Sequence, residues 1–292
     1  MPLSYYKAVN FNGSSGYADC GHIHIGDNLS VVAWVNCDSL ATSRSMVLNG
    51  GNLAPDLSWY AGIHHNDPRR VRFYVSSDGT FTSGTTKYYV SPVASLPASG
   101  EAMVAFTWAT GALKLYINGV EVVALKAWDP VFTTIFDPAG NLNLGGKAGT
   151  VLPWNDWICN VSLWSDTVLS AADVATFCSG GFNMDPRDLT TGATLEHSWI
   201  WDEELTYPLL PDHVGGNPGI LTGMDQSCII DSPWLVPITP RVYIHNRARR
   251  LSDGEVVGWR SINEADPTMS FHPDLLNPAD YTDFVVIGRS WI

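Results

Sequence analysis

The sequence has few charged residues and no long apolar run. Charged side chains make up 15% of its 292 residues, and no apolar stretch approaches the ~18 residues that predict a membrane span. The amino-terminal stretch MPLSYYKAVNFNGSSGY lacks the basic region followed by an apolar one that is typical of a secretory signal. We therefore expect no membrane span and synthesis in a reducing cytoplasm.

Cysteine pairs of the CxxC type are also missing. The five cysteines are odd in number, so they do not form a complete disulfide framework or a typical zinc motif. We interpret them as small buried apolar thiols; they are Cys20, Cys37, Cys159, Cys178 and Cys228.

Positive charge is scarce in the larger part of the chain. Residues 1–237 contain 22 acidic and 10 basic side chains, and residues 238–292 contain seven acids and six arginines. Contacts with nucleic-acid phosphates require basic surface, so we expect no nucleic-acid partner. The acidity is compatible with calcium or neutral sugars, or with solubility alone.

Short β-rich runs dominate the sequence. Val, Ile, Tyr, Phe and Trp fill them, often alternating with polar residues, and Gly, Asn, Asp, Ser and Pro separate them. Their spacing is typical of a β-sandwich. The runs lie at 29–37, 69–77, 102–108, 113–117, 120–125, 141–146 and 157–164.

Local signals predict two turns and one helix. Asn118-Gly119 and Asp78-Gly79 suit the positive φ values of tight hairpin turns. LSAADVATFCSGG at 169–181 predicts a helix that Ser170 caps and that ends at Gly180. SINEADP at 261–267 is a weaker helix candidate. Three prolines in SPWLVPITP at 232–240 predict a boundary, so we divide the chain into domains 1–235 and 236–292.

The order of these runs resembles a LamG-like jelly roll of the concanavalin A-like lectin/glucanase superfamily. AVNFNGSSGYADCG, LSVVAWV, LKLYINGVEVV, NLNLGG and WICNVSLWSDTVLSAADVATF follow one another as in that family over roughly residues 7–235. The resemblance implies an all-β fold, a two-sheet antiparallel jelly-roll sandwich, with a small mixed attachment region at the carboxyl end.

A second resemblance comes from residues 199–224. Trp201, Asp202, Glu203, Asp212 and Asn217 match a "W-x-φ-D-E … D-x-x-G-N-x-G-x-L-T" pattern of related domains. Its position after the sandwich, with Thr206-Tyr207-Pro208, resembles structural proteins of tailed phages. This implies a non-enzymatic virion component, such as a capsid decoration, tail or fibre protein, made in the host cytoplasm.

Two other functions stay open. One is a carbohydrate-binding lectin for receptor recognition, and the less favoured one is a glycoside hydrolase. Retaining hydrolases need two carboxylates about 5–5.5 Å apart, and the sequence has no E-x-D-x-x-E motif. In the acidic cluster 202–204, only Asp202 and Glu204 share a strand face. We therefore expect no enzymatic activity.

A sugar site would combine aromatic faces with polar groups. Trp59 and Tyr60 lie in APDLSWYAGIHHND, a loop-like stretch that also holds His64 and His65. Packing in a core is the alternative for each aromatic residue. The complete set of candidate carbohydrate-binding residues is Trp59, Tyr60, His64, His65, Trp128 and Trp154.

Calcium is the one cofactor that the sequence suggests, although none is required. Its oxygen ligands would be Asp202, Asp212 and Asn217, and the alternative for Asp212 and Asn217 is capping of turns. A second possible set is Asp56, Asn66 and Asp67. No third ligand joins His22 and His24 in a zinc site.

The carboxyl-terminal region indicates assembly. RVYIHNRARR and DFVVIGRSWI combine residue types that are enriched in interfaces with an apolar strand that needs a partner edge. We expect contacts with other virion proteins and with copies of the same chain, for which a trimer would suit a virion site. Cell-surface glycans are a further candidate partner.

Overall fold

A computed structural model describes residues 7–24, 26–38, 44–50, 56–147, 153–181, 184–199, 205–231, 244–250, 256–261 and 284–291, with the backbone alone for Asp231 and the last three ranges. The chain divides into two compact units, Met1–Ser232 and Pro233–Ile292. The attachment role of residues 236–292 stays a prediction.

The first unit is built from antiparallel strands. Its strands are β1 Lys7–Asn12, β2 Tyr17–Asp19, β3 Asn28–Asn36, β4 Ser45–Gly50, β5 Leu57–Ile63, β6 Val71–Ser76, β7 Thr86–Val90, β8 Glu101–Ala109, β9 Ala112–Ile117, β10 Val120–Val122, β11 Leu125–Trp128, β12 Leu142–Leu144, β13 Asn155–Ser165, β14 Thr194–Trp199, β15 Leu209–Leu210, β16 Gly219–Thr222 and β17 Ile229–Asp231. The helices are α1 Ala171–Ser179 and two 3₁₀ turns, Pro186–Asp188 and Gln226–Cys228.

These strands form two sheets. The eight-stranded sheet has the order β10-β9-β8-β3-β13-β1-β17, and β14 also pairs with β13. The nine-stranded sheet has the order β11-β7-β6-β5-β4-β12-β2-β16-β15. Strands that are far apart in the sequence lie side by side in both sheets, as in a concanavalin A-like jelly-roll sandwich. The predicted all-β fold is confirmed.

The hydrophobic core lies between the two sheets. Phe73 of β6 stacks on Phe106 of β8, with ring centroids 4.6 Å apart and planes 17° apart. Trp59 packs beside Phe73 at 6.3 Å. Alternate residues of a strand point to opposite faces, so this contact shows which face of β5 and β6 is internal. Four tryptophans from the strand-like runs of the sequence are buried; they are Trp34, Trp108, Trp157 and Trp164.

Of the two turns and one helix predicted from local signals, one turn and the helix are confirmed. Asn118 and Gly119 have φ values of 50° and 79° and join β9 to β10, as predicted. Ser170 and Asp173 form a reciprocal capping box at the start of α1, and Gly180 is its C-cap. Asp78-Gly79 does not connect two strands directly, because residues 77–85 form a longer loop between β6 and β7.

The first unit also contains the five cysteines and the two histidines near the amino terminus, His22 and His24. All five cysteines are free; Cys178 is half-buried and the others are buried. The alternate spacing of His22 and His24 in the sequence is typical of one strand face, but residues 20–24 are not in a strand. Both histidines instead approach the carboxylate of Asp137, at 3.5 and 3.0 Å.

The second unit contains a separate antiparallel sheet. Its strands are β18 Ile244–Arg250, β19 Val256–Ser261 and β20 Phe284–Trp291, in the order β19-β18-β20. The terminal strand therefore has a partner edge within its own unit, β18. Of the weak helix candidate 261–267, Ser261 ends a strand and the other residues lie outside the described ranges.

Candidate functional site

Aromatic side chains follow one another across the outer face of the nine-stranded sheet. Tyr60, Tyr74 and Tyr88 are direct cross-strand partners on β5, β6 and β7, and Trp128 of β11 is the partner of Tyr88. Trp59 and Phe73 occupy the alternate positions that point into the core. The tyrosines and Trp128 therefore lie on the opposite side. Together with Phe81 of the β6–β7 loop, we call these residues the aromatic face.

The rings of the aromatic face are in continuous contact. Tyr60 and Tyr74 stack with centroids 4.6 Å apart and planes 8° apart. Tyr74 contacts Phe81 at 5.0 Å, and Phe81 contacts Trp128 at 4.8 Å. Exposure rises along this series, since Tyr60 is fully buried, Tyr74 is 4% exposed and Phe81 is 39% exposed. The accessible end of the aromatic face is therefore formed by Phe81 and Trp128.

Hydroxyl groups surround this accessible end. Phe81 lies between Thr80 and Thr82, whose hydroxyls are each 2.8 Å from the hydroxyl of Thr85. The carboxylate of Asp78 accepts hydrogen bonds from the backbone N–H and the hydroxyl of Thr80, at 2.9 and 2.7 Å. These bonds hold the exposed β6–β7 loop in one conformation, so Phe81 is positioned without a ligand.

The buried end is formed by an arginine and tyrosine hydroxyls. The guanidinium of Arg72 lies over the ring of Tyr60, with Cζ 4.8 Å from the centroid, and Nη2 donates to the Tyr60 hydroxyl at 3.3 Å. That hydroxyl donates to the carbonyl of Arg44 at 2.5 Å. The Tyr60 ring lies over Gly62, where a Cβ would be 2.1 Å from the hydroxyl. Glycine at this position therefore makes room for the ring.

Two polar atoms at the buried end have no hydrogen-bond partner. They are Nε of Arg72 and the hydroxyl of Tyr88, and both are shielded from solvent. Burial raises the pKa of Tyr60 and of Tyr74, although the charge of Arg72 acts in the opposite direction. The hydroxyls of Tyr60 and Tyr74 are therefore protonated at neutral pH. The arrangement offers hydrogen-bond donors beside an aromatic surface.

The predicted sugar-binding residues fall into three groups. Tyr60 and Trp128 belong to the aromatic face. Trp59 and Trp154 are 1% and 0% exposed, so neither ring has a face available to a sugar. The expectation of a loop at Trp59-Tyr60 was wrong, since both residues lie in the middle of β5.

His64 and His65 lie in the turn that follows β5, with ring centroids 4.2 Å apart. The backbone N–H of His64 donates to the carbonyl of Arg70 at 2.8 Å. Burial and the nearby charges of His65, Arg70 and Arg72 lower the pKa of His64 to about 4. His64 is therefore neutral at physiological pH.

The predicted calcium ligands make hydrogen bonds with their own loop. Oδ1 of Asp212 accepts from the N–H groups of Ser198, Val214 and Gly215 at 3.0–3.1 Å, and Oδ2 accepts from the N–H of Asn217 at 3.1 Å. His197 Nδ1 lies 2.7 Å from Oδ2. These five bonds use the lone pairs of a carboxylate.

The other calcium ligands are not assembled by the structure either. Asp202 lies outside the described residues. Asp56 precedes β5 whereas Asn66 and Asp67 follow it, and a seven-residue strand separates its ends by about 20 Å. Within the described ranges, no three His, Cys, Asp or Glu side chains are placed to hold a metal ion. Calcium binding stays a prediction.

Sequence reasoning missed Arg72, Tyr74, Phe81 and Tyr88. One signal could have found two of them, because Tyr74 and Tyr88 follow the predicted Tyr60 at intervals of 14 residues in successive strand-like runs. Arginine, tyrosine and serine alternate with apolar residues in VRFYVS, which indicates a strand with one face in the core and places Arg72 and Tyr74 on the other face. The position of Phe81 depends on the loop and had no comparable signal.

The chain belongs to the concanavalin A-like lectin/glucanases superfamily. The family model of that description, Laminin_G_3, matches residues 12–175, more than half of the chain. This range contains all strands that contribute to the aromatic face. No curated protein matches the chain in sequence. None of the described helices is long and apolar enough to cross a membrane.

Two solved structures are similar to this chain. A Bacteroides ovatus protein, provisionally classed as carbohydrate-binding, is 17% identical with a TM-score of 0.57, over 79% of this chain and 61% of its own. The CBM40 module of a Ruminococcus gnavus sialidase, bound to α2,3-sialyllactose, is 19% identical with a TM-score of 0.45, over 60% of this chain and 98% of its own. This chain thus spans less than two thirds of the Bacteroides structure. Such identities show the fold alone.

Proposed function

We propose that this protein is a carbohydrate-binding protein without catalytic activity, and that the aromatic face is its ligand-binding surface. One observation carries the proposal: the exposed Phe81 and the half-buried Trp128 form an aromatic pair, 4.8 Å apart, at the end of a packed aromatic row. A sugar ring has an apolar C–H surface that packs on such rings, while its hydroxyls need polar partners. The threonine hydroxyls around Phe81 supply them.

The superfamily and the Bacteroides relative support this choice. The matched family contains lectins by description, and the relative with a TM-score of 0.57 is provisionally classed as carbohydrate-binding. Neither identifies a ligand for this chain, because one fold carries many functions. The proposal therefore depends on the aromatic face itself.

The sheet that carries the aromatic face offers no pair of catalytic carboxylates. Strands β4 to β7 contain no Asp or Glu, and Asp19 of β2 is the one acidic residue in the described strands of this sheet. Asp19 already accepts hydrogen bonds from Asn141 and the N–H of Gly21. Glycoside hydrolysis uses two carboxylates that flank the bond to be cleaved, so this surface favours binding without catalysis.

The role as a phage virion component stays a prediction, as do its expected partners and its self-association. A virion protein that recognises cells would itself need a glycan-binding surface, so the two functions are compatible. Light scattering of the purified chain tests the predicted homo-oligomer, which a monomeric mass at micromolar concentration would contradict.

Glycan binding is tested with an oligosaccharide array followed by calorimetry on the best ligand. We expect Phe81→Ala and Trp128→Ala each to weaken binding by about tenfold, since each removes one stacking surface. Val123→Ala is the matched control, because Val123 is apolar and 89% exposed but is not part of the aromatic face. The absence of any glycan ligand, or equal affinity of all three variants and the wild type, would overturn the proposal.

A further inference from the structure

The buried end of the aromatic face has an unbalanced positive charge. Arg72 is half-buried, and none of the ion pairs of the described residues involves it. Its hydrogen bond goes to the neutral hydroxyl of Tyr60. Charged groups that are removed from water are usually paired with an opposite charge. A guanidinium in this position therefore lacks the partner that such sites normally have.

Other arginines lie in the same part of the chain. Four of the five arginines in residues 1–231 are Arg44, Arg69, Arg70 and Arg72, in a segment of net charge −12 up to residue 237. Arg44, Arg69 and Arg70 donate to backbone carbonyls at 2.5–3.1 Å, and none of them forms an ion pair among the described residues. Arg69, Arg70 and Arg72 are thus close together in the sequence of an acidic segment, at the start of β6.

The two unpartnered atoms at the buried end can both donate a hydrogen bond. Arg72 Nε is a donor, the Tyr88 hydroxyl is a donor and acceptor, and neither has a partner. Tyr88 is 8% exposed, so its hydroxyl has been removed from water without compensation. Such groups are uncommon in folded proteins because they lose their hydrogen bonds to water without replacement. Arg72 and Tyr88 lie on the same face of the neighbouring strands β6 and β7, and their unpartnered donors indicate a missing anionic partner.

We propose that the sugar bound by the aromatic face carries a carboxylate, which Arg72 and Tyr88 bind. This inference rests on the proposed function and specifies its ligand class, an acidic sugar. Both atoms are shielded from solvent in the free protein, so the side chains that cover them must move when the ligand binds. One carboxylate oxygen then accepts from Arg72 Nε and the other from the Tyr88 hydroxyl, while the sugar ring extends towards Phe81 and Trp128. A planar carboxylate suits the fixed geometry of guanidinium N–H groups.

The position of Arg72 is fixed before a ligand arrives. The guanidinium of Arg72 lies over the Tyr60 ring, and the Tyr60 hydroxyl accepts a hydrogen bond from Arg72 Nη2. This hydrogen bond leaves Nε available. We therefore assign Tyr60 the role of a positioning residue, and Arg72 and Tyr88 the role of ligand-contacting residues.

The test compares acidic sugars with neutral counterparts of matched size by calorimetry at pH 7. One pair is digalacturonic acid and its dimethyl ester, and the other is 3′-sialyllactose and lactose. We expect at least one acid to bind ten times more tightly than its neutral counterpart, with an affinity that falls as salt is added. A preference in the first pair identifies a uronic acid, and one in the second identifies a sialic acid.

Two variants identify the atoms involved. Tyr88→Phe should lower the affinity for the acid about tenfold and leave the affinity for its neutral counterpart unchanged. Since the buried hydroxyl has no partner, this variant should be at least as stable to heat as the wild type. Arg72→Gln should abolish the preference for the acid. Arg69→Gln and Tyr116→Phe are matched controls, which should retain it.

The possible outcomes separate the two proposals. Equal binding of acidic and neutral sugars, with Phe81→Ala still weakening both, overturns the inference and leaves the proposed function intact. Tighter binding of the ester or of lactose also overturns it. The absence of binding by any of the four sugars and by the array overturns both proposals. A preference for the acid that persists in Tyr88→Phe and Arg72→Gln overturns the assignment to these residues.

Discussion

Trp59 and Tyr60 are neighbours in the sequence, but they lie on opposite faces of the nine-stranded sheet. Trp59 packs on Phe73 in the core, whereas Tyr60 stacks on Tyr74 outside it. Both are fully buried, so burial alone does not distinguish their roles. The direction of each side chain, set by strand alternation, separates a structural residue from one that supports the candidate site.

Trp59→Ala should therefore act on stability. We expect the free energy of unfolding to fall by about 3–5 kcal/mol, as for other large aromatic residues truncated in a core. Urea denaturation followed by far-ultraviolet circular dichroism measures it. Trp128→Ala is the comparison, because Trp128 is only half-buried and should lose less than half as much. A larger loss for Trp128→Ala would contradict the assignment of faces.

Asp212 should make stability depend on acidic pH. Burial acts to raise its pKa, but hydrogen bonds from His197, Ser198, Asn217 and Val214 outweigh this effect and lower the pKa to about 2. An unfolded aspartate has a pKa near 3.9, so the folded state favours the charged form. This contributes about 2 kcal/mol above pH 4, which is lost as the pH falls from about 4 to 2.

Asp212→Asn should remove that contribution and flatten the dependence of the unfolding free energy on pH between about 4 and 2. Urea titrations at a series of pH values measure the effect. Asp188→Asn is the control, since Asp188 is exposed and its replacement should leave the slope unchanged. Equal slopes for wild type and Asp212→Asn would show that the loop bonds do not form.

The ion pair of Lys87 and Asp129 should respond unequally to the loss of its two members. Nζ of Lys87 lies 2.5 Å from Asp129 Oδ1, and the lysine side chain is 7% exposed while the aspartate is 34% exposed. Asp129 also accepts from Tyr89 and Lys126. Asp129→Asn leaves a buried cation without compensation and should cost about 3 kcal/mol.

Lys87→Met leaves Asp129 with two other donors and with access to water, so it should cost less than half as much. Chemical denaturation of both variants provides the comparison. Lys114→Met is the control for the loss of an exposed ion pair, since Lys114 and Glu121 are 50% and 45% exposed. A reversed order of Asp129→Asn and Lys87→Met would contradict the buried position of Lys87.

Gly119 should not tolerate a side chain. Its φ is +79°, and a Cβ would lie 2.9 Å from Cβ of Cys178 and 3.2 Å from Cα of Ala175 in α1. Gly119→Ala should therefore strain the backbone and displace α1. We expect the free energy of unfolding to fall by about 1–3 kcal/mol, which lowers the melting temperature. Gly84→Ala is the matched control, because no atom lies within 4 Å of its Cβ position. Equal melting temperatures for the two variants would contradict the tight contact of the hairpin with α1.

The sequence predicts elements whose signals are local. Asn118-Gly119 and the Ser170 cap depend on backbone conformations that few residue types adopt, so they were identified correctly. The run containing Trp59 and Tyr60 was interpreted as a loop because His64, His65, Asn66 and Asp67 follow it directly. The ligand surface was predicted only in part, because Tyr60 and Trp128 are 68 residues apart and meet through sheet order alone.

The 14-residue spacing of Tyr60, Tyr74 and Tyr88 links recognition to folding. If β6 slipped by one residue relative to β5, Phe73 or Val75 would replace Tyr74 outside, and a phenol would enter the apolar interior. A misaligned sheet would thus be both unstable and unable to bind a sugar. Every correctly folded molecule therefore has the rings of Tyr60, Tyr74 and Tyr88 aligned on the outer face of the sheet.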